Sequence, residues 1–150
     1  MASREIITIN EIKVRGFNVN APVGDGGENE AGDVLVVQAM FQYLAELVGL
    51  ERLGLKSSDE IPAPTGRIDD RTLNAIKSYQ QSAAVWSLLS ADGLIHPADS
   101  QSRNIRLQGS IRLKTITSLQ LQIYLEKPFY LDYTEEILRR VPQLKTCLDQ

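Results

Sequence analysis

Between residues 34 and 48, apolar side chains return at three- and four-residue steps: Val34, Val37, Phe41, Leu44 and Val48. That spacing gathers them on one face of an α-helix, which needs a core to cover it. Asp33 stands where an N-cap is expected and Gly49 where such a helix ends. Gln38, Gln42 and Glu46 fall elsewhere around the same helix. The segment ahead of it, residues 21–32, carries four glycines and a proline and is predicted to be a loop. Its glycines suit a turn into the helix. They lack the Lys-Ser/Thr pair of a phosphate loop, and the acids beside them repel anions.

A second helix is predicted from Asp69, its cap, to about Ser90. Leu73, Ile76, Gln80, Ala83 and Ser87 share one face, with Tyr79 and Trp86 beside it. Ile61-Pro62-Ala63-Pro64 ahead of it is stiff and extended. Residues 91–97 read as a turn and a short extended piece. The β-branched run Ile6–Val19 predicts one or two strands. In the tail, Ile105, Leu107, Ile111 and Leu113 predict a hairpin around Gln108-Gly109-Ser110. Leu119, Leu121 and Ile123, alternating with Gln120 and Gln122, predict a further strand. A last helix is expected from Tyr133 to Val141, with Asp132 and Glu135 at capping-box spacing and Pro142 ending or kinking it. The fold class is therefore α+β, mainly α, with short strands in the N- and C-terminal extensions. A length of 150 residues suits a single domain.

Composition narrows the chemistry. One cysteine, Cys147, and one histidine, His96, allow neither an intramolecular disulfide nor a Cys- or His-rich metal site. No cofactor is implied. Residues 1–100 carry 8 Lys+Arg against 14 Asp+Glu, and residues 101–150 carry 8 against 5. An acidic front half speaks against nucleic acid, which needs clustered cations. No apolar run approaches the ~20 residues of a membrane span. The first residues lack the pattern of a secretory signal. The expectation is cytoplasmic synthesis, with export, if any, by a signal-independent route.

Three motifs, in order, resemble the peptidoglycan-binding-like domain family. The first is Val23-Gly24-Asp25-Gly26-Gly27 followed by Asp33 and the helix Val34-Leu35-Val36-Val37-Gln38. The second is Gly66-Arg67-Ile68-Asp69-Asp70-Arg71-Thr72-Leu73-Asn74-Ala75-Ile76-Lys77-Ser78-Tyr79-Gln80. The third is Asp92-Gly93-Leu94-Ile95-His96-Pro97. The resemblance covers residues 23–97 as a helical core. It leaves 1–22 and 104–150 as extensions of unassigned role. The family's third helix usually starts with a threonine just after the last turn, and here Ala98-Asp99-Ser100-Gln101-Ser102 stands in that place.

The resemblance implies a non-catalytic module that recognises cell-wall peptidoglycan. The alternative is a protein-interaction adaptor on the same fold, docking a wall-active or secreted effector through its β-rich ends. Candidate ligand-binding residues are Thr65, Arg67, Arg71, Tyr79 and Asp92, expected at two neighbouring turns. The arginines suit carboxylates. The motif residues Asp33, Gln38, Gly66, Asp69, Gln80 and Gly93 read as structural: caps, turn glycines and backbone-bonding amides. The two glutamines equally suit hydrogen bonding to sugar or stem-peptide amides. Trp86, Tyr79, Tyr43 and Phe41 are either core or sugar-stacking faces. His96 has no nucleophile partner in the sequence, and Cys147 reads as a small buried hydrophobe. Enzymatic function is not expected.

Overall fold

A computed structural model describes residues 1–84, 91–107, 113–128 and 131–149. The chain opens with β1 (Ala2–Ile9) and β2 (Ile12–Asn18), an antiparallel hairpin in which Ile9 faces Ile12. Its two-residue turn, Asn10-Glu11, has positive φ at both positions (46° and 72°). That geometry matches the twist of the flanking strands. β3 (Val23–Gly24) leads into α1 (Ala31–Val48). α2 spans Asp70–Ala83, β4 Leu94–Ile95 and β5 Asn104–Ile105. Then come α3 (Thr115–Glu126), α4 (Thr134–Arg140) and β6 (Leu148–Asp149). Short 3-10 turns lie at Glu51–Leu53, Ser58–Glu60 and Pro142–Thr146. The class is α+β with helix predominating.

β1 is the hub of the larger sheet. β2 pairs along one side of it, and two short parallel strands share the other. β5 lies beside Thr8 and Ile9, β6 beside Ala2 and Ser3. β3 and β4 form a separate two-stranded ribbon.

α1 passes through the centre of the molecule. Residues 33–41 are all buried, so the helix has core on every side rather than on the one face its spacing suggests. By length and composition it is apolar enough to cross a membrane (18 residues, mean hydropathy 1.3), and most of it is covered by the fold. Gly49 ends it, at φ 89°.

Asp33 does not cap α1. The helix begins at Ala31 after Glu30, and Asp33 sits buried in its first turn. Its two carboxylate oxygens accept the backbone N–H groups of Asn20 (2.9 Å) and Ala21 (3.0 Å), pinning the strand exit to the helix. Burial raises its pKa above the ordinary carboxylate value, with those two bonds opposing the shift.

Asp69 caps α2 as expected, accepting the Thr72 N–H at 2.8 Å. α2 ends at Ala83, and the predicted continuation over residues 85–90, Trp86 included, lies outside the described residues. The strand predicted over Leu119–Ile123 is helix α3 instead. Every residue from Thr115 to Ile123 is buried, so polar and apolar side chains alternate without marking two faces. The hairpin predicted around Gln108 falls partly on residues 108–112, outside the described residues. Of its described flanks, Ile105 lies beside β1 and Leu113 leads into α3. Asp132 and Glu135 form no capping box. Asp132 accepts the Thr134 N–H, and both carboxylates hold the Arg4 guanidinium. Pro142 follows α4 and begins a 3-10 turn.

Candidate functional site

The family-like motifs converge on two buried glutamines that do the same job. Gln38, on α1, accepts the N–H groups of Thr65 (3.0 Å) and Gly66 (2.9 Å). Its amide nitrogen donates to the Arg67 carbonyl (2.9 Å) and to the Thr72 hydroxyl (3.0 Å). Gln80, on α2, accepts the Gly93 N–H (2.9 Å) and donates to the Leu94 carbonyl (2.9 Å) and the Thr115 hydroxyl (3.1 Å). Each glutamine thus ties its helix to a glycine turn and to a threonine in the first turn of the next helix. Gly66 and Gly93 share φ 76°, the left-handed geometry that glycine adopts without a Cβ penalty.

Both amides are buried, and their hydrogen bonds go to main chain, to threonines and, from Gln80, to Asp92. Thr115 is the first residue of α3.

The five candidate ligand residues do not gather. Tyr79 is fully buried, its hydroxyl 2.7 Å from the Ser118 hydroxyl and its ring edge-on to Phe41, so it belongs to the core. Burial pushes its phenol up to about 12. Phe41 and Tyr43 are buried as well. Thr65 is exposed, and its hydroxyl is held locally by the Arg67 N–H (3.1 Å).

Asp92 belongs to the second turn, with Gln80, whereas Arg67 and Arg71 belong to the first. Thr72 and Gln80, which mark the two turns, are separated by about 12 Å of helix at 1.5 Å per residue. Asp92 is also engaged, taking the Leu94 N–H (3.0 Å) and lying 2.9 Å from His96 Nε2. Its carboxyl lies below the usual value. Desolvation raises it, and the bonds from His96, Leu94 and Gln80 together outweigh that. Half-buried His96 is therefore a turn residue paired with Asp92.

What remains is one exposed patch at the start of α2. Arg67 and Arg71 are both exposed, and among the described residues neither stands in an ion pair. The one hydrogen bond of the Arg71 guanidinium is a long one, 3.5 Å, to the Ile61 carbonyl. Arg71 lines a polar cleft of about 270 Å³ with Asn74, Asp59 and Glu60. The Ser58–Glu60 turn forms one wall. Ser57 and Glu60 close it with a capping box, Glu60 accepting the N–H groups of Lys56 and Ser57. Behind that turn lies a more apolar cleft of about 410 Å³, lined by Gln42, Ala45, Glu46, Leu50, Ser58 and Ile61.

Sequence reading missed Asp59 and Asn74. The S-x-x-E spacing of Ser57 and Glu60 foreshadows the turn that presents Asp59, and Asn74 lies three residues after Arg71 on the same helical face. Among the described residues, no cluster of three or more His, Cys, Asp or Glu is arranged to hold a metal.

The sheet edges leave little room for an added strand. On β2, the Arg15 N–H donates to the Leu131 carbonyl (2.8 Å), and the Phe17 N–H and C=O are bound by the Gln120 side chain. The far side of β1 is occupied near both ends by β5 and β6.

The molecule is thus a helix-rich α+β protein whose two glycine turns are fastened from within by buried amides. Comparison with protein-family models, with curated proteins and with solved structures finds no match to any of them.

Proposed function

We propose that this chain is a non-catalytic binding module of the peptidoglycan-binding kind, acting on cell-wall peptidoglycan through the exposed patch at the start of α2. The observation that carries the reading is the division of labour at the motifs. The glutamines, glycines and Asp69 are consumed in building the turns, while Arg67 and Arg71 stand outside with no ion-pair partner among the described residues. Rigid turns presenting unspent guanidinium groups suit recognition of carboxylates such as those of wall stem peptides. Thr115, bonded to Gln80, adds support by completing the motif order with a threonine-initiated third helix.

The test is co-sedimentation with insoluble peptidoglycan sacculi at low and physiological salt, beside an Arg67→Ala, Arg71→Ala variant. Saturable binding, weakened by salt and lost in the variant, is the expected result. A folded protein that stays in the supernatant under both conditions removes the wall as the ligand and turns the search to protein partners.

A further inference from the structure

We propose that the cleft between the Ser58–Glu60 turn and the start of α2 binds the zwitterionic end of an amino acid or short peptide, its carboxylate on Arg71 and its ammonium group on Asp59. This rests on the reading of the Arg71 patch as a binding site and assigns that patch a ligand class.

The cleft has opposite charges on its walls that do not neutralise each other. Arg71 and Asp59 both line it, and no ion pair joins them. Elsewhere on this surface, acids and bases that approach do pair, as Glu5 with Arg103 and Glu11 with Arg106. Asn74 lines the same cleft with its amide unengaged among the described residues, offering both a donor and an acceptor. Glu60 is different: its carboxylate is held by two backbone N–H groups of its own turn, which fixes that wall.

A guanidinium binds a carboxylate through two parallel N–H···O bonds, and a carboxylate binds an ammonium group with charge assistance. A ligand carrying both charges therefore satisfies both walls at once. A singly charged ligand leaves one wall unanswered. At about 270 Å³ the cleft is smaller than the ~300–1,000 Å³ of drug-sized pockets, which suits a one- or two-residue end group rather than a sugar chain.

The experiment titrates the ¹⁵N-labelled full chain with D-alanyl-D-alanine, its N-acetyl derivative and its C-terminal amide, following backbone amide shifts of residues 58–61 and 70–74. The expected result is saturable shifts with the free dipeptide, at least tenfold weaker binding of either capped form, and the same loss for the free dipeptide in Arg71→Ala and in Asp59→Ala. Equal binding of the capped forms overturns the proposal, as does the absence of saturable shifts at tens of millimolar. The capped ligands on the unaltered chain keep the test valid if a variant fails to fold. Sacculi binding without a dipeptide response overturns the zwitterion site and leaves the wall reading standing. A dipeptide response without sacculi binding does the reverse.

Discussion

The side-chain amide of Gln120 grips the backbone of Phe17 at both ends. Its oxygen accepts the Phe17 N–H at 2.6 Å, and its nitrogen donates to the Phe17 carbonyl at 2.8 Å. A helix side chain thereby takes the place of a neighbouring strand along the outer edge of β2. The Tyr133 hydroxyl donates to the same Gln120 oxygen. Replacing Gln120 with leucine leaves these buried partners unanswered, at about 1–3 kcal/mol for each stranded group. Urea unfolding of Gln120→Leu is expected to show a loss of at least ~3 kcal/mol. A loss below ~1 kcal/mol would mean water replaces the amide.

Gly16 makes that grip possible. A Cβ there falls 2.6 Å from both the Tyr133 hydroxyl and Ile7 Cδ1, and closer still to the Gln120 oxygen. Gly16→Ala is expected to cost as much as overpacking costs elsewhere, about 1–3 kcal/mol or more. The penalty should shrink when Tyr133→Phe is combined with it, because one of the clashing atoms is then gone. A double-mutant cycle measures that coupling.

The paired glutamines make matching predictions. Gln38→Leu strands three main-chain groups at its turn and Gln80→Leu two, and each should lose at least roughly 2 kcal/mol in denaturant unfolding, Gln38→Leu the more. By contrast, exposed Arg71 makes only its long bond to Ile61, and Arg71→Ala should move stability by less than about 0.5 kcal/mol. Binding and folding are then separable in the sacculi assay.

Alkaline stability reports on Tyr79. Its phenol is raised by burial to about 12, with Ser118 and Gln122 hydrogen bonds opposing. A raised native value means that the unfolded chain ionises first. The contribution is intact below pH ~10 and is lost as pH climbs toward 12. Tyr79→Phe should remove about 3 kcal/mol of that alkaline loss in unfolding series between pH 9 and 12. An unchanged pH slope would contradict the buried phenol.

Asp92 acts at the acid end. Its native value is lowered, so its contribution is present above the ordinary carboxylate range and fades as pH falls through the native value. Melting temperatures of Asp92→Asn and of the unaltered chain should be fully separated above about pH 4 and draw together only as the pH falls below it, through the lowered native value. A constant offset across pH would assign the effect to packing rather than charge.

The sequence made α1 and α2 legible because their ends carry local chemistry. Gly49 and Asp69 do their work within one turn, and no distant partner is needed to read them. Asp33 misled because a carboxylate at a helix start is normally a cap. Its actual partners, Asn20 and Ala21, come from the preceding strand exit. α3 misled for a related reason. Gln120 and Gln122 look like the solvent side of a strand, yet they are inward-facing groups that serve Phe17 and Tyr79. Amphipathic patterns report burial only where polar means exposed, and this core uses amides as fasteners. The same blindness put Tyr79 among the ligand residues. The polar cleft escaped notice because Asp59 and Arg71 are twelve positions apart and meet only through the Ser58–Glu60 turn.

The placement of β5 and β6 along one flank of β1 has a consequence for how the chain is made. β1 leaves the ribosome long before residues 148–149, which form one of its parallel neighbours. β1 and β2 can form their hairpin early, but the remaining flank waits until synthesis has passed Leu148. Closing a loop of that length precedes any gain from the contact, which slows folding. Chains halted before Leu148 should therefore be cut by protease within residues 1–9 far more readily than released chains that include residues 148–149. Equal resistance would mean that β6 decorates the sheet without completing it.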